Sequence, residues 1–148
     1  MPYYFAYGSN MDTNQMQQRL ESACLSVVGV AKLVGWHLVF DKISKDGTGK
    51  ANLLQGEQGE VWGVVYQITD EQMTKLDGFE KGYSRKEVEV TLHEDNTSFN
   101  VITYISDKRN STLHPSRDYL QIIIRGAKDH HLPEEYIRQI ETQAGVQD

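Results

Sequence analysis

A chain of 148 residues, 39% hydrophobic and 24% charged, is long enough to build one domain around its own core and too apolar to stay disordered. Its formal net charge of −6, with 15 Lys and Arg scattered along the sequence, argues against nucleic-acid binding, which needs a basic face. No apolar run approaches the ~20 residues of a membrane span, no signal-peptide pattern opens the chain, and the single cysteine, Cys24, rules out an internal disulfide; the expectation is a cytoplasmic protein with no membrane partner.

The elements follow in order. Residues 2–6 are aromatic and apolar and read as a short buried strand running into Tyr7-Gly8-Ser9-Asn10, which is turn chemistry. A helix follows, with Asp12 as N-cap, Gln15 three residues on in a variant of the capping box, and Met11 and Met16 as a hydrophobic staple. Residues 25–40 read as strand, with Val34, Trp36, Leu38 and Phe40 alternating onto one face. Residues 45–58, with Gly47, Gly49 and Gly56, read as a mobile loop. Residues 60–68 form a strand with apolar side chains on both faces. Thr69 and Gln72 make a second capping box, and Gly78 is expected to stop the short helix that follows. Val88, Val90 and Leu92 alternate with Glu87, Glu89 and His93, a strand with one wet face. Asp95-Asn96 turns it back into residues 99–105 as a hairpin. Ser116 caps a helix whose apolar stripe is Leu120, Ile123, Ile124 and Ala127, and Pro133 opens the last helix. Strands outnumber helices and pair as hairpins, so the fold expected is α+β: a single domain, 1–148, with a small, mostly antiparallel sheet curling toward a barrel and helices outside it.

Two places could carry chemistry. A glycine between a buried strand and a helix lets a backbone approach a ligand closely, and the N–H groups of Gly8, Ser9 and Asn10 could hold a carboxylate or an oxyanion; the bland alternative is a tight turn. Glu80 stands between a helix end and a strand start, with Phe79 and Tyr83 placed to desolvate it and raise its carboxyl pKa; the bland alternative is a surface glutamate. Other residues are less promising. Ser9 lacks the nucleophile-elbow pattern, and Cys24 reads as a small buried apolar group. His130-His131 reads as a helix-end cation and a solvated neighbour rather than a metal site. Neither a metal nor a cofactor is expected.

Together these residues resemble a known family. Tyr4-Phe5-Ala6-Tyr7-Gly8-Ser9-Asn10-Met11 is similar to the signature loop of the γ-glutamylcyclotransferases. Residues 60–66 with Leu76-Asp77 and Glu80 resemble that family's central stretch, and residues 115–119, 126–128 and 132–136 its last two helices. The resemblance implies a small β-barrel with peripheral helices, commonly a homodimer, that cyclises a small-molecule γ-glutamyl amino acid to 5-oxoproline. It implies Glu80 as catalytic acid/base, Tyr4, Phe5, Ala6, Tyr7, Gly8 and Ser9 with Asn10 as the substrate loop, and Tyr119 lining the site. Lys81 departs from the pattern, because family members often carry glycine directly after the glutamate. Asn10 speaks against the glutathione-specific branch, which usually has an apolar residue there. Other functions stay open: the same chemistry on a γ-glutamylamine or on a γ-glutamyl-protected intermediate of biosynthesis, or a non-enzymatic module that binds an acidic metabolite or a protein. The leaving-group pocket is expected from residues 45–58 and 107–115.

Overall fold

The computed structural model describes residues 2–144. Five strands close into a barrel in the order β1-β3-β2-β4-β5: β1 (Tyr3–Ala6), β2 (Ser26–Ile43), β3 (Gly49–Gln67), β4 (Ser84–Leu92) and β5 (Ser98–Ile105). Four helices lie around it: α1 (Thr13–Leu20), α2 (Asp70–Phe79), α3 (Arg117–Asp129) and α4 (Glu134–Gln143). Every pairing is antiparallel except the closure, where β1 runs parallel to β5 and Tyr4 faces Ile102. The mostly antiparallel barrel with outer helices is the architecture expected.

β1 and β3 supply the centre of the core. Phe5, Ala6, Val61, Val64, Val65 and Tyr66 are all fully buried, as the double-faced apolar pattern of β3 requires. β4 keeps one wet face, burying Val88 and Val90 and exposing Glu87 and Glu89. The Thr69/Gln72 capping box forms in full, at 3.0 Å and 2.9 Å, and Ser116 Oγ accepts the Tyr119 N–H at 3.2 Å.

Several local expectations are corrected. Residues 49–58 are not a loop but the first half of β3. They pair with residues 36–43 of β2 in a bulged ribbon that leaves only the turn around Ser44–Thr48. The register slips between Val34 and Trp36, so the supposed single face breaks: Val34 is 60% exposed, whereas Leu38 and Phe40 are buried. Gly78 lies inside α2, which ends at Phe79. Asp12 caps α1 only by position, because its carboxylate pairs with Arg125 at 2.7 Å instead of capping the backbone. Cys24 is exposed, not buried. His130 is no helix-end cation: half-buried, it bonds Thr13 Oγ1 at 3.0 Å, and burial lowers its pKa.

One contact sets the position of the loop after β1. α3 packs on it at Gly126, where a Cβ would fall 2.5 Å from the Met11 carbonyl carbon; glycine is what permits that approach.

Candidate active site

Glu80 sits at the C-terminal end of α2, where its N–H bonds back to Leu76 and Asp77 and its side chain is 15% exposed. Its Oε1 accepts Asn10 Nδ2 at 2.8 Å and Arg19 Nη1 at 3.3 Å; Oε2 takes part in neither bond. Burial raises its pKa, opposed by Arg19, by the Asn10 hydrogen bond and by Lys42. The negative end of the α2 dipole acts in the same direction as burial.

Around this carboxyl lies a narrow cavity of about 30 Å³ lined by Tyr4, Tyr7, Gly8, Ser9, Asn10, Ala51, Tyr83, Tyr104 and Tyr119. Five phenols therefore surround one acid. Burial raises the pKa of each of them, so all five stay neutral. Each hydroxyl is held. Tyr4 accepts from Asn10 at 2.9 Å, and Tyr7 donates to the Tyr104 carbonyl at 2.5 Å. Tyr83 donates to the Ala51 carbonyl at 2.6 Å, Tyr104 donates to Asp77 at 2.6 Å, and Tyr119 accepts the Ala51 N–H at 2.9 Å. The wall is pre-organised before any ligand arrives.

The loop after β1 is fastened from both ends. The Asn10 carbonyl accepts Tyr66 O–H at 3.0 Å, and its Oδ1 accepts Gln15 Nε2 and Arg19 Nη1, each at 3.0 Å. Gln15 Nε2 also reaches Ser9 Oγ at 2.7 Å. Gln15 is thus no capping-box partner; it ties the loop to α1. The loop's own backbone bonds are donated by Met11, to Gly8 at 3.1 Å, and by Asp12, to Ser9 at 3.0 Å. The N–H groups of Gly8, Ser9 and Asn10 take no part in those bonds.

Of the residues singled out in sequence, Glu80, Tyr4, Tyr7, Gly8, Ser9, Asn10 and Tyr119 come together around the cavity. Phe5 and Ala6 do not line it; both are fully buried in the barrel core. Phe79 does not cover Glu80: it is 52% exposed and carries Arg19 over its ring at 5.2 Å. The Lys81 departure is absorbed one residue later. Tyr83 N–H bonds the Glu80 carbonyl at 3.1 Å, and the left-handed position of that turn, φ +87°, falls on Gly82. Arg19, Gln15 and Tyr104 were not anticipated at the site, whereas Ala51 comes from residues 45–58, the stretch expected to supply the leaving-group pocket. For Gln15 and Arg19 a signal existed, because two long polar donors spaced i, i+4 directly after the loop share one helix face. A wider groove of about 530 Å³ lies along α3 among Arg117, Leu120, Ile124 and Lys128, but it includes none of the residues around Glu80.

Known proteins show the same pattern. Residues 60–140 match the model of the AIG2-like family. The chain is 34% identical over 142 residues to the γ-glutamylcyclotransferase of Mus musculus and 35% identical over 142 residues to that of Homo sapiens. In both cases this covers 90% of this chain and 73% of the relative. A solved structure described as a γ-glutamyl cyclotransferase superposes with a TM-score of 0.88 at 32% identity, covering 99% of this chain and 89% of that one. A barrel closed through β1, a glycine-serine loop tied to a mostly buried glutamate, and these likenesses along the chain agree: it belongs to the AIG2-like γ-glutamylcyclotransferase family.

Proposed function

We propose that this chain is a γ-glutamylcyclotransferase that converts a γ-glutamyl amino acid into 5-oxoproline and the free amino acid, in the cytoplasm and without a cofactor. The observation that carries this reading is the state of Glu80: a mostly buried carboxyl with one oxygen held by Asn10 and Arg19 and the other left for a ligand, inside a wall of neutral phenols.

The reaction asks for no nucleophile from the protein. The substrate's α-amine attacks its own γ-carbonyl carbon, a five-membered ring closes, and the γ-amide C–N bond breaks. Holding the glutamyl chain folded supplies much of the rate, since effective molarities of ~10⁵ M correspond to about 7 kcal/mol. Glu80 then has two tasks. As a base it takes a proton from the α-ammonium, for which it must be ionised, and Arg19 and Asn10 stabilise that form. As an acid it returns the proton to the departing amine, which its raised pKa favours. The N–H groups of Gly8 and Ser9 would bind the substrate's carboxylate or the developing oxyanion. Tyr119 and Tyr83, locked on the two sides of the Ala51 peptide, shape the pocket.

The test is incubation of the protein with γ-glutamyl-alanine, followed by mass-spectrometric detection of 5-oxoproline, with Glu80→Gln run beside it. Formation of 5-oxoproline by the wild type and its loss in the variant are expected. Near-normal turnover by the variant would remove Glu80 from the mechanism, and an inactive wild type that still binds 5-oxoproline would favour a binding module.

A further inference from the structure

The ribbon over the cavity brings two like charges together. Lys42 on β2 and Lys50 on β3 are directly paired across the strands. Like charges facing each other in a sheet are destabilising, yet neither side chain escapes into open solvent. Lys42 Nζ lies over the Tyr83 ring at 5.2 Å and Lys50 Nζ over the Tyr119 ring at 4.1 Å, so each ammonium is stacked on a wall of the Glu80 cavity. Lys42 also packs against the turn just after Glu80, where a Cβ on Gly82 would meet its Nζ at 3.0 Å and Lys108 Cδ at 3.5 Å.

The nearby acids are committed elsewhere. Asp41 takes Asn52 and Arg109, each at 2.9 Å, and Asp46 is held within its own turn by Ser44 and Thr48. Among the described residues neither Lys42 nor Lys50 makes an ion pair. Both pKa values are lowered, first by burial. Lys108 and Lys50 lower Lys42 further while Glu80 supports it; Arg19 lowers Lys50 further while Asp46 supports it. A site with two half-buried, like-charged ammonium groups, each acted on by an acid but paired with none, is one that an anion completes.

We propose that Lys42 and Lys50 are specificity-determining residues that bind the α-carboxylate of the leaving amino acid, so that the site selects γ-glutamyl amino acids over γ-glutamylamines. This rests on the cyclotransferase reading. The glutamyl half of the substrate is placed at Glu80 and the Gly8-Ser9 loop; the departing half extends toward the ribbon, where a carboxylate meets the lysine pair and an uncharged or cationic amine does not.

The experiment compares γ-glutamyl-alanine with γ-glutamyl-ethylamide, the same substrate without the leaving-group carboxylate. It uses the wild type, Lys42→Met and Lys50→Met, which keep an apolar stem on the rings, and Lys50→Arg. The wild type is expected to prefer γ-glutamyl-alanine. Each Met variant should lose about 10–100-fold in kcat/KM on γ-glutamyl-alanine, mainly through KM, as expected for one charge-assisted hydrogen bond. For Lys50→Met the rate on γ-glutamyl-ethylamide, which doubles as the control for folding, should not change; for Lys42→Met, which also removes a charge that supports ionised Glu80, the loss on γ-glutamyl-alanine should exceed the loss on γ-glutamyl-ethylamide; and Lys50→Arg should retain most of the preference. Equal losses on both substrates would place the lysines on the glutamyl half and overturn the proposal, as would a wild type indifferent to the carboxylate. If the wild type turned over neither compound, the cyclotransferase reading would fail first, and this inference with it.

Discussion

Two buried polar clusters meet on β3, where Ala51 and the next residue, Asn52, face opposite sides of the strand, and they are wired in opposite ways. Around Asn52 every group is answered. Its amide nitrogen donates to Asp41 at 2.9 Å and to the Ser106 carbonyl at 3.0 Å, and its oxygen accepts the Ser106 N–H at 3.0 Å. Asp41 takes Arg109 on its other oxygen, and its carbonyl takes Asn110 N–H at 2.7 Å. Around Glu80 the bonds crowd onto one carboxyl oxygen, the pKa is raised, and Arg19 is shared between Glu80 and Asn10. A saturated cluster fixes geometry, here the docking of the ribbon on the β5–α3 segment. A cluster whose bonds gather on one oxygen of an acid with a raised pKa is the arrangement that the proposed proton transfers need.

The contrast can be broken most sharply at Glu80. Glu80→Gln is expected to cost about 10²–10⁴ in turnover, measured as 5-oxoproline formed from γ-glutamyl-alanine, while circular dichroism stays native. A raised acid also leaves a mark on stability. Its contribution is complete below the ordinary value of 4.5 and is lost as pH rises through the folded-state value. Glutamine has no such dependence, so the Tm of the wild type relative to Glu80→Gln should fall as pH rises from below 4.5 through that window.

The opposite result is expected at Asn52. Asn52→Ala strands two Ser106 backbone groups and one Asp41 oxygen, a cost of about 3 kcal/mol, or roughly 6–12 °C in Tm. Calorimetry should register it, while turnover per folded molecule changes little. A variant that kept its Tm and lost its activity would reverse the roles of the two clusters. Arg19→Gln sharpens the comparison further. Because Arg19 stabilises ionised Glu80, its loss should move the acid limb of the kcat/KM–pH profile to higher pH, with Asn10, Lys42 and the Tyr4 hydroxyl still around the carboxyl. An unmoved limb would make Arg19 a packing residue. Smallest is Thr69→Ala, which removes the α2 cap at a cost of about 1 kcal/mol, visible in chemical denaturation and silent in turnover.

How much of this could be read from sequence depends on how local the cause is. The Thr69/Gln72 capping box, the wet face of β4 and the loop after β1 are written in neighbouring residues, and the structure returns them, whereas the box expected at Asp12 and Gln15 does not form. The carboxyl itself was legible at Glu80, because helix end, aromatic and turn sit beside it. Arg19 was not, since it reaches Glu80 across 61 residues and looks like one more exposed helix cation. The first half of β3 was hidden by its glycines, which pattern reading takes for mobility. Their cause is close approach: a Cβ on Gly49 would overlap the Phe40 carbonyl, and one on Gly59 would lie 2.2 Å from the Trp36 oxygen. Phe79 was assigned to cover Glu80 by adjacency, but at a helix end adjacent side chains diverge, and it covers Arg19 instead.

The parallel seam between β1 and β5 has a consequence for how the protein is made. β1 is synthesised before every strand it pairs with. Its partner in β3 lies about sixty residues later and the seam with β5 about a hundred, Tyr4 facing Tyr66 and Ile102. Pairings of such long range form slowly. Tyr4, Glu80, Tyr104 and Tyr119 belong to four separate elements and gather only once that seam is shut. A chain still on the ribosome, or one whose barrel has sprung open, therefore holds no partial site, and its activity reports the finished fold and nothing earlier.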